Sequence, residues 1–378
     1  RHTKKSISDL NRKIKTGIEI KYATVKKRVG PGQYCYHVLK HSNTRTDIDF
    51  HLYHRDVLQQ DMPSAREGWY YHRVKPTKAW LTVGLPLHLL THKRNDIFWS
   101  PAHYAPRYSG GKSVVTIHDL AYEHFPDLFL PSDLYKLKNW TRSAVKNAAH
   151  LIAVSEATKK DLISIYGVAA DKVSVVHNGY DSTTFNTKAS SFSSIATNYS
   201  LLPYSYILFL GTIQPRKNAI KLVQAFHLLK EQGYKGKLVI AGGVGWLADA
   251  TLSVIKNSPH AKDIVLTGYV SDQARKALYA HADTYVLPSL YEGFGVPALE
   301  AMACGTPVAV ANNSSLPEVV ADAGLIFNAH DPVDIARAIT ALKKDRAKWS
   351  KKSLARAKMF SWQKCAQETL EVLLKQVK

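Results

Sequence analysis

Two carboxylates, Glu292 and Glu300, flank a glycine-rich turn in the second half of the chain. Gly293 and Gly295 allow backbone N–H groups to approach a ligand, and Pro297 suits the first turn of a helix. The start of such a helix favours an anion such as a phosphate. Because a carboxylate accepts two hydroxyl donors at once, one glutamate suits a ribose diol and the other a pyranose diol. The pair therefore indicates a nucleotide-sugar site, although either glutamate alone could equally be a solvated side chain.

Two adjacent cations, Arg216 and Lys217, follow an apolar strand predicted at 206–210 and precede Asn218. A guanidinium and an ammonium group at a strand end suit a diphosphate. Exposed Arg–Lys pairs are common, so this turn alone says little about function.

A His–Asp pair, His118 and Asp119, ends the apolar run 114–118, where an α/β protein places its cleft. A histidine at a strand end is more often structural than functional, so both interpretations stay open at this point. Gly30 and Gly32 follow the first predicted strand and mark a second place where backbone could meet a ligand. Taken alone, this glycine pattern is weak.

The segment E-G-F-G-V-P-A-L-E-A-M-A-C-G-T-P-V, which begins at Glu292, resembles the donor-site signature of retaining glycosyltransferase family 4, also called glycosyl transferases group 1. The resemblance extends from residue 17 to residue 377 and is tighter in the second half. It implies that Glu292 holds hydroxyls of the donor sugar and Glu300 holds the ribose. It also implies that further residues bind the donor nucleotide-sugar, namely Gly32, Val270, Gly293, Phe294, Gly295 and Val296.

The same resemblance implies catalytic roles for His118, Arg216 and Lys217 beside Glu292. The stretch G-T-I-Q-P-R-K-N is similar to a family segment whose basic residues neutralise the departing pyrophosphate. Many members carry arginine directly after the strand glycine, where this chain has Thr212. The second cation is therefore implied to be Arg216, unless the site is less basic than usual. The H-D-L-A stretch matches a strand end that family members place against the donor sugar, which implies a contact and orienting role for His118.

Short apolar segments alternate with longer amphipathic ones from residue 17 onward, which is typical of βαβ units and a largely parallel sheet. The alternation restarts after a stretch rich in serine, threonine and asparagine, which predicts a linker. Apolar residues at three- and four-residue intervals predict a final amphipathic helix. The predicted organisation is a basic N-terminal arm at 1–16, an acceptor-side Rossmann-like domain at 17–184, a linker at 185–203, a nucleotide-sugar-binding Rossmann-like domain at 204–361 and a C-terminal amphipathic helix at 362–378.

The fold class implied by the resemblance is α/β, with two Rossmann-like, doubly wound parallel-sheet domains facing across a cleft (GT-B). The implied reaction is a retaining, metal-independent transfer of a hexose from a nucleotide-diphosphate sugar to a glycan or lipid-linked acceptor, in cell-surface polysaccharide or glycolipid synthesis. No cofactor is expected, and GDP-mannose is the first expected donor, ahead of UDP-hexoses such as UDP-glucose and UDP-N-acetylglucosamine. The alternatives are a nucleotide-sugar epimerase of the same architecture and a non-catalytic protein that binds an anionic ligand.

An Asp-x-Asp pattern at Asp47 and Asp49 matches the motif by which glycosyltransferases of the other major fold chelate a divalent cation. Here the pattern precedes a predicted strand instead of following one. Solvated carboxylates are the preferred interpretation, and no metal site is predicted. The two glutamates belong to a helix-start phosphate site, which argues against a glycosidase with paired catalytic carboxylates.

Charge favours an anionic partner, because 51 Lys and Arg against 30 Asp and Glu give a net charge of +21. No zinc-finger or RNA-recognition signature accompanies this charge, so nucleic acid is the weaker candidate and is not expected as a partner. The predicted helix at 132–147 mixes apolar residues with lysine and arginine. It is expected either to pack on its own domain or to contact an acidic membrane surface.

Three cysteines, Cys35, Cys304 and Cys365, lie far apart without a C-x-x-C spacing. They predict neither a disulfide framework nor a zinc site, and they favour a reducing compartment. The longest apolar run near the N-terminus, at 79–90, is far shorter than the roughly 20 residues of a membrane span. With no recognisable signal peptide, the expected location is cytoplasmic, with peripheral contact at the inner face of the membrane as an extension. The sequence does not indicate an oligomeric state.

Overall fold

The computed structural model describes residues 12–92, 94–188 and 190–377 and contains two parallel β-sheets. The first sheet comprises β1 (Ile14–Glu19), β2 (Ile48–His54), β3 (Trp69–Arg73), β4 (Ile97–Ser100), β5 (Lys112–Ile117), β6 (His150–Ala153) and β7 (Val173–Val175). The second comprises β8 (Tyr206–Leu210), β9 (Lys237–Ala241), β10 (Ile264–Gly268), β11 (Thr284–Leu287), β12 (Val308–Ala311) and β13 (Leu325–Phe327). These sheets confirm the predicted class of two Rossmann-like parallel α/β domains.

Helices cover the sheets, as parallel sheets require. Those before β8 are α1 (Pro31–Ser42), α2 (Leu85–Thr91), α3 (Ala121–His124), α4 (Pro131–Asn147), α5 (Glu156–Tyr166) and α6 (Ser193–Tyr199). Those after β8 are α7 (Ala219–Glu231), α8 (Asp249–Lys256), α9 (Asp272–His281), α10 (Val296–Ala303), α11 (Leu316–Val320), α12 (Pro332–Lys344), α13 (Arg346–Ala357) and α14 (Trp362–Val377). Strands covered on both faces need near-continuous apolar sequence, and β8, with all five residues buried, has it.

Each sheet has one place where the winding changes direction. The first sheet has the order β3-β2-β1-β4-β5-β6-β7, so its winding reverses between β1 and β4. The second has the order β10-β9-β8-β11-β12-β13, so its winding reverses between β8 and β11. Loops leaving the carboxyl ends of strands at such points diverge and leave a crevice, which is where α/β proteins bind ligands.

The last helix, α14, returns to the first sheet. Trp362, Cys365, Leu370 and Leu373 are buried in the apolar core that the first sheet forms with α1. The chain thus crosses between the two halves twice, and Gly179 on the first crossing lies against the backbone of the second. A Cβ at this glycine would be 2.1 Å from the Trp362 nitrogen, so the two crossing segments pack backbone against backbone.

The predicted linker at 185–203 is not an extended, exposed segment. It contains α6, and Phe192 and Ile195 are buried in the core of the second sheet. The helical spacing of these residues and Tyr199 was hidden among the polar residues around them. The predicted basic arm at 1–16 ends too late, because β1 begins at Ile14, where charged neighbours mask the start of the strand. Residues 1–11 of the arm lie outside the described residues.

Candidate active site

The predicted site residues lie on loops that leave the carboxyl ends of the strands. Glu292 follows β11, and Arg216 and Lys217 follow β8, so all three lie at the winding reversal of the second sheet. His118 follows β5, one strand from the reversal of the first sheet. The fold therefore directs side chains from both sheets into one cleft.

Glu292 lies between two cations. Its Oε1 is 2.5 Å from Lys217 Nζ and its Oε2 is 3.5 Å from Arg216 Nη1. Ser289 Oγ donates a further hydrogen bond of 2.6 Å to Oε1. Burial alone would raise the pKa of this carboxyl, but the two cations and the hydrogen bonds from Lys217 and Ser289 hold it at about 2. Glu292 is therefore ionised at neutral pH, and three of the residues predicted to be catalytic form one cluster.

The backbone around this cluster is also held in place. The Glu292 N–H donates to Ser314 Oγ at 2.9 Å, and Ser315 Oγ donates to the Glu292 carbonyl at 2.8 Å. Asn218, at φ 56°, donates from its side chain to the Pro288 carbonyl at 3.0 Å. The turn after β8 and the loop after β11 therefore form one rigid unit.

Two polar atoms of this unit are buried and have no hydrogen-bond partner among the described residues: Arg216 Nε and Gln214 Oε1. Burial lowers the pKa of Lys217, and the Glu292 carboxylate opposes that shift. Buried polar atoms are normally satisfied, so an unused guanidinium donor beside an ammonium group suits an anionic ligand. This arrangement could take up negative charge as it develops on a phosphate.

Glu300 lies one turn inside α10 and is 6% exposed. Its Oε2 accepts a hydrogen bond of 3.1 Å from the Tyr279 hydroxyl, and its Oε1 is 3.6 Å from Arg275 Nη2. Burial raises the pKa of this carboxyl to about 7, although Arg275 and the hydrogen bond from Tyr279 oppose the shift. The two predicted glutamates are therefore electrostatically different, because cations hold the pKa of Glu292 low whereas burial holds that of Glu300 well above its usual range.

His118 is buried at the end of β5. Its Nε2 is 2.8 Å from the Pro101 carbonyl, so this nitrogen carries the proton and Nδ1 is the acceptor of the ring. The edge of the Tyr34 ring contacts it, with ring centroids 5.0 Å apart. Burial, together with neighbouring His103, lowers the pKa of His118 to about 3. This histidine is therefore a neutral hydrogen-bonding group with a fixed orientation.

The glycine-rich turn brings the two halves into contact. A Cβ at Gly293 would be 1.8 Å from the His118 carbonyl oxygen, so only glycine allows this approach. Gly295 has φ 99° and caps α10, and Val296 is the first residue of that helix. Phe294 is buried between His177 and Phe360, with ring centroids 5.7 Å from each. The predicted helix start therefore faces the first sheet, with Phe294 as its anchor.

The two remaining predicted donor residues lie outside this cluster. Gly32 is in the first turn of α1, where its N–H donates to the Val29 carbonyl and a Cβ would be 2.7 Å from the Tyr22 carbonyl oxygen. This packing explains why the position requires glycine. Val270 follows β10 at the same sheet edge as Arg216, with its side chain packed against the second core. Its backbone is therefore positioned by a buried anchor.

Sequence reasoning missed several residues that shape the site. Ser289 bonds Glu292, and Tyr279 and Arg275 approach Glu300 from α9, where no motif surrounds them. Their signal is spatial, because α9 and α10 contact each other only in the fold. Ser289 has a signal in the sequence, because it is a polar residue only three positions before Glu292.

The Asp-x-Asp pattern lies far from this cleft. Asp47 precedes β2 and pairs with Arg45 at 2.6 Å, at the amino edge of a parallel sheet whose carboxyl edge carries the cleft residues. Among the residues that the structure describes, no group of three or more potential ligands is arranged to hold a metal ion. The helices of the described residues also fall short of the length and apolar character needed to cross a bilayer.

Comparisons with protein families cover both halves of the chain. Residues 201–358 match the family described as Glycosyl transferases group 1. Residues 46–184 match Glycosyltransferase Family 4. The first range includes the cluster of Glu292, Arg216 and Lys217, and the second includes His118.

Individual relatives agree with these matches. O-antigen chain mannosyltransferase B of Escherichia coli is 32% identical over 281 residues, which is 73% of this chain and 74% of the relative. Serotype-specific mannosyltransferase WbdA of Escherichia coli is 31% identical over 60% of this chain, a match that spans 29% of that longer protein. Sucrose-phosphate synthase from Thermosynechococcus elongatus has a similar fold, with a TM-score of 0.75 at 17% identity over 96% of this chain and 99% of that structure.

Proposed function

We propose mannosyl transfer as the reaction of this chain, which belongs to the glycosyl transferases group 1 family of GT-B glycosyltransferases. The donor is a nucleotide-diphosphate hexose, with GDP-mannose first and UDP-hexoses behind it. The relatives named as mannosyltransferases support this order of donors. The acceptor is a hydroxyl of a glycan or of a lipid-linked saccharide in cell-surface polysaccharide synthesis.

One observation carries the proposal, namely the cluster of Arg216, Lys217 and Glu292 at the winding reversal of the second sheet. As the glycosidic bond breaks, negative charge builds on the diphosphate oxygens. Arg216 and Lys217 would meet that charge together with the amides at the start of α10. These fixed donors supply the stabilisation without a metal ion, so we propose a metal-independent reaction.

We further propose that the anomeric configuration is retained. Both oxygens of Glu292 are engaged by cations and by Ser289, so this carboxylate is placed to hold sugar hydroxyls and not to attack the anomeric carbon. The acceptor hydroxyl would then attack from the side on which the diphosphate leaves. Its oxygen forms the new bond to the anomeric carbon as the bond to the diphosphate breaks, and a diphosphate oxygen takes the hydroxyl proton. His118, as a neutral ring, orients the sugar.

The other residues of the cleft are assigned donor contacts from where they lie in the fold. Glu300 holds the ribose diol, and the backbone near Val270 contacts the base. Gly32, Gly293, Phe294, Gly295 and Val296 shape the phosphate and sugar path. Closure of the cleft would exclude water that competes with the acceptor.

The lipid-linked acceptor suggests a place of action, and we propose reversible contact with the acidic inner face of the membrane. The helix α4 supports this, because Tyr135 and Trp140 are 67% and 39% exposed beside Lys136 and Lys138. Aromatic rings flanked by cations suit an anionic lipid surface. Sedimentation with vesicles containing acidic lipid should show binding that weakens with salt, and binding unaffected by salt would contradict this part of the proposal.

A donor screen tests the function directly. Purified protein is incubated with GDP-mannose, UDP-glucose or UDP-N-acetylglucosamine, with and without EDTA, and free nucleotide diphosphate and the sugar product are followed. We expect release from GDP-mannose that is unaffected by EDTA. In Glu292→Ala this release should fall by about 10²- to 10³-fold.

The matched control is Glu371→Ala on α14, an exposed glutamate whose side chain, in the part of the chain that the structure describes, is hydrogen-bonded to Gln367 alone. It should keep full activity and the same melting temperature. Release that requires a divalent ion would overturn the metal-independent reaction. An epimerised sugar formed without acceptor would identify an isomerase. If neither nucleotide diphosphate nor a sugar product formed from any donor, the protein would be a non-catalytic binding protein.

A further inference from the structure

A buried tyrosine beside Glu292 reaches across the cleft to the first half of the molecule. Tyr291 is 5% exposed, and its hydroxyl donates to Asp161 Oδ2 on α5. The same carboxylate oxygen is 2.9 Å from His124 Nε2 at the end of α3. The His124 ring also stacks on the Tyr291 ring, with centroids 5.1 Å apart. We call this contact of Tyr291, Asp161 and His124 the cleft bridge.

The cleft bridge is connected to the cation cluster through the backbone. Arg216 donates from Nη1 to the Tyr291 carbonyl, and Glu292 is the next residue in the chain. A rotation of the Tyr291 backbone would therefore shift both Arg216 and Glu292. Since a buried hydroxyl that loses its acceptor is costly, Asp161 holds the tyrosine in one position.

A second contact across the cleft is connected to the Glu292 loop less directly. The Glu318 carboxylate on α11 accepts the Glu156 N–H at the start of α5, with 3.0 Å to each oxygen, and is 2.6 Å from His177 Nε2. This contact also joins the two halves. It reaches the loop of Glu292 only indirectly, through Ser315, which donates to the Glu292 carbonyl, and through His177, whose ring lies against Phe294.

We propose that the cleft bridge positions Glu292 and Arg216 for transfer when the cleft is closed, with Tyr291 and Asp161 as positioning residues that do not touch the substrate. This inference rests on the proposed function. With the cleft open, Tyr291 would lose its acceptor and the loop of Glu292 would lose its fixed orientation. The bridge therefore makes turnover conditional on closure, while donor binding depends mainly on groups within the second half.

The test compares Tyr291→Phe, Asp161→Asn and the double variant with Tyr166→Phe. Tyr166 gives a matched control, because among the described residues its hydroxyl bonds only Tyr122 and Glu123, both in the first half, at 3.1 and 2.8 Å. Each bridge variant should lower kcat about tenfold, with the donor KM changed less than twofold. The double variant should be no slower than the slower single variant, because both changes remove one interaction. The control should match the wild type.

Unchanged kcat in Tyr291→Phe, or losses that multiply in the double variant, would overturn the inference. Melting temperatures identify any variant that fails to fold, and Asp161→Asn keeps the side-chain shape. Small-angle scattering of the ligand-free protein gives a readout that does not need turnover. Tyr291→Phe should have a larger radius of gyration than both the wild type and Tyr166→Phe, and equal radii would count against the bridge. If the wild type turns over no donor, the proposed function fails, and the scattering result alone then decides whether the bridge holds the cleft closed.

Discussion

The loops that leave the second sheet carry a network of charges, Glu292 with Arg216 and Lys217, whereas the loop that leaves β5 of the first sheet carries His118 as a neutral ring held by a backbone carbonyl. Both sets of side chains are buried, and burial favours the neutral form of each, so their different charge states come from their partners. In the second half, partners keep a carboxylate ionised, and in the first half, burial keeps an imidazole uncharged. The comparison indicates that the second half handles charge, while the first half supplies shape and neutral hydrogen bonds.

The contact between the halves offers the strongest test of this division. Gly293→Ala puts a methyl group where only 1.8 Å separates it from the His118 carbonyl oxygen, so the cleft should no longer close fully. We expect kcat to fall about 100-fold, with a smaller loss of donor affinity because Gly293 also lies on the proposed phosphate and sugar path. Steady-state kinetics and donor titration measure the two effects.

A matched control for this change is Gly243→Ala, since no atom lies within 4 Å of a Cβ at that position. It should behave as the wild type. If Gly293→Ala kept full turnover, the approach of the two halves would not matter for catalysis.

Acid should affect the halves differently. Burial lowers the pKa of His37 to about 4 and of His118 to about 3, so both are neutral in the folded first half. As pH falls below 6.5, the unfolded chain gains protons that the folded chain does not, and stability is lost. Between pH 6.5 and pH 5, each buried histidine costs roughly 2 kcal/mol. Glu292, with a pKa of about 2, keeps its contribution to the free energy of unfolding until the pH drops below about 4.5. Glu300 binds its proton more readily in the folded chain than in the unfolded chain. Its protonation therefore favours the folded state as the pH falls from 7 to 4.5.

Hydrogen exchange at pH 7 and pH 5, corrected for the intrinsic rate, measures this difference. Because two buried histidines contribute, amides in β4 and β5 should lose about 500-fold in protection, while amides in β8 and β11 should keep theirs. Equal losses in both sheets would mean that the acid response is not set by the first-half histidines. His37→Gln provides a check, because it should reduce the loss in the first sheet only.

The smallest expected effect separates the two glutamates. If Glu300 holds the ribose diol as a carboxylate, its pKa of about 7 predicts that donor affinity rises about tenfold between pH 6 and pH 8. In Glu300→Gln, binding should be weaker and nearly independent of pH. Calorimetry with GDP-mannose measures both, and an unchanged pH profile in Glu300→Gln would remove Glu300 from the binding site.

The sequence predicted the second half more completely than the first. The bounds of β8 agree to the residue with the strand predicted at 206–210, because this strand is a continuous apolar run that is buried throughout. In contrast, β1 begins at Ile14, inside the predicted basic arm at 1–16, since charged residues interrupt its half-exposed start. The linker was misread because α6 buries only a few apolar side chains among many polar ones.

The candidate site shows the same limit. Residues close together in sequence, such as Glu292 with its glycines, could be identified from a pattern. The ion pair with Lys217, the cleft bridge and the approach of α9 to Glu300 join residues at least 20 positions apart. Such contacts depend on how the loops meet, which neither periodicity nor composition specifies.

The return of α14 to the first sheet also has a consequence for synthesis on the ribosome. The core around α1 needs Trp362, Leu370 and Leu373, which are translated after the whole second sheet. Domains that are contiguous in sequence can fold as soon as they leave the exit tunnel, and the second half meets that condition while the first does not. The half that is made first is therefore the half that matures last, and its unfinished apolar surface is what a chaperone would have to shield in the meantime.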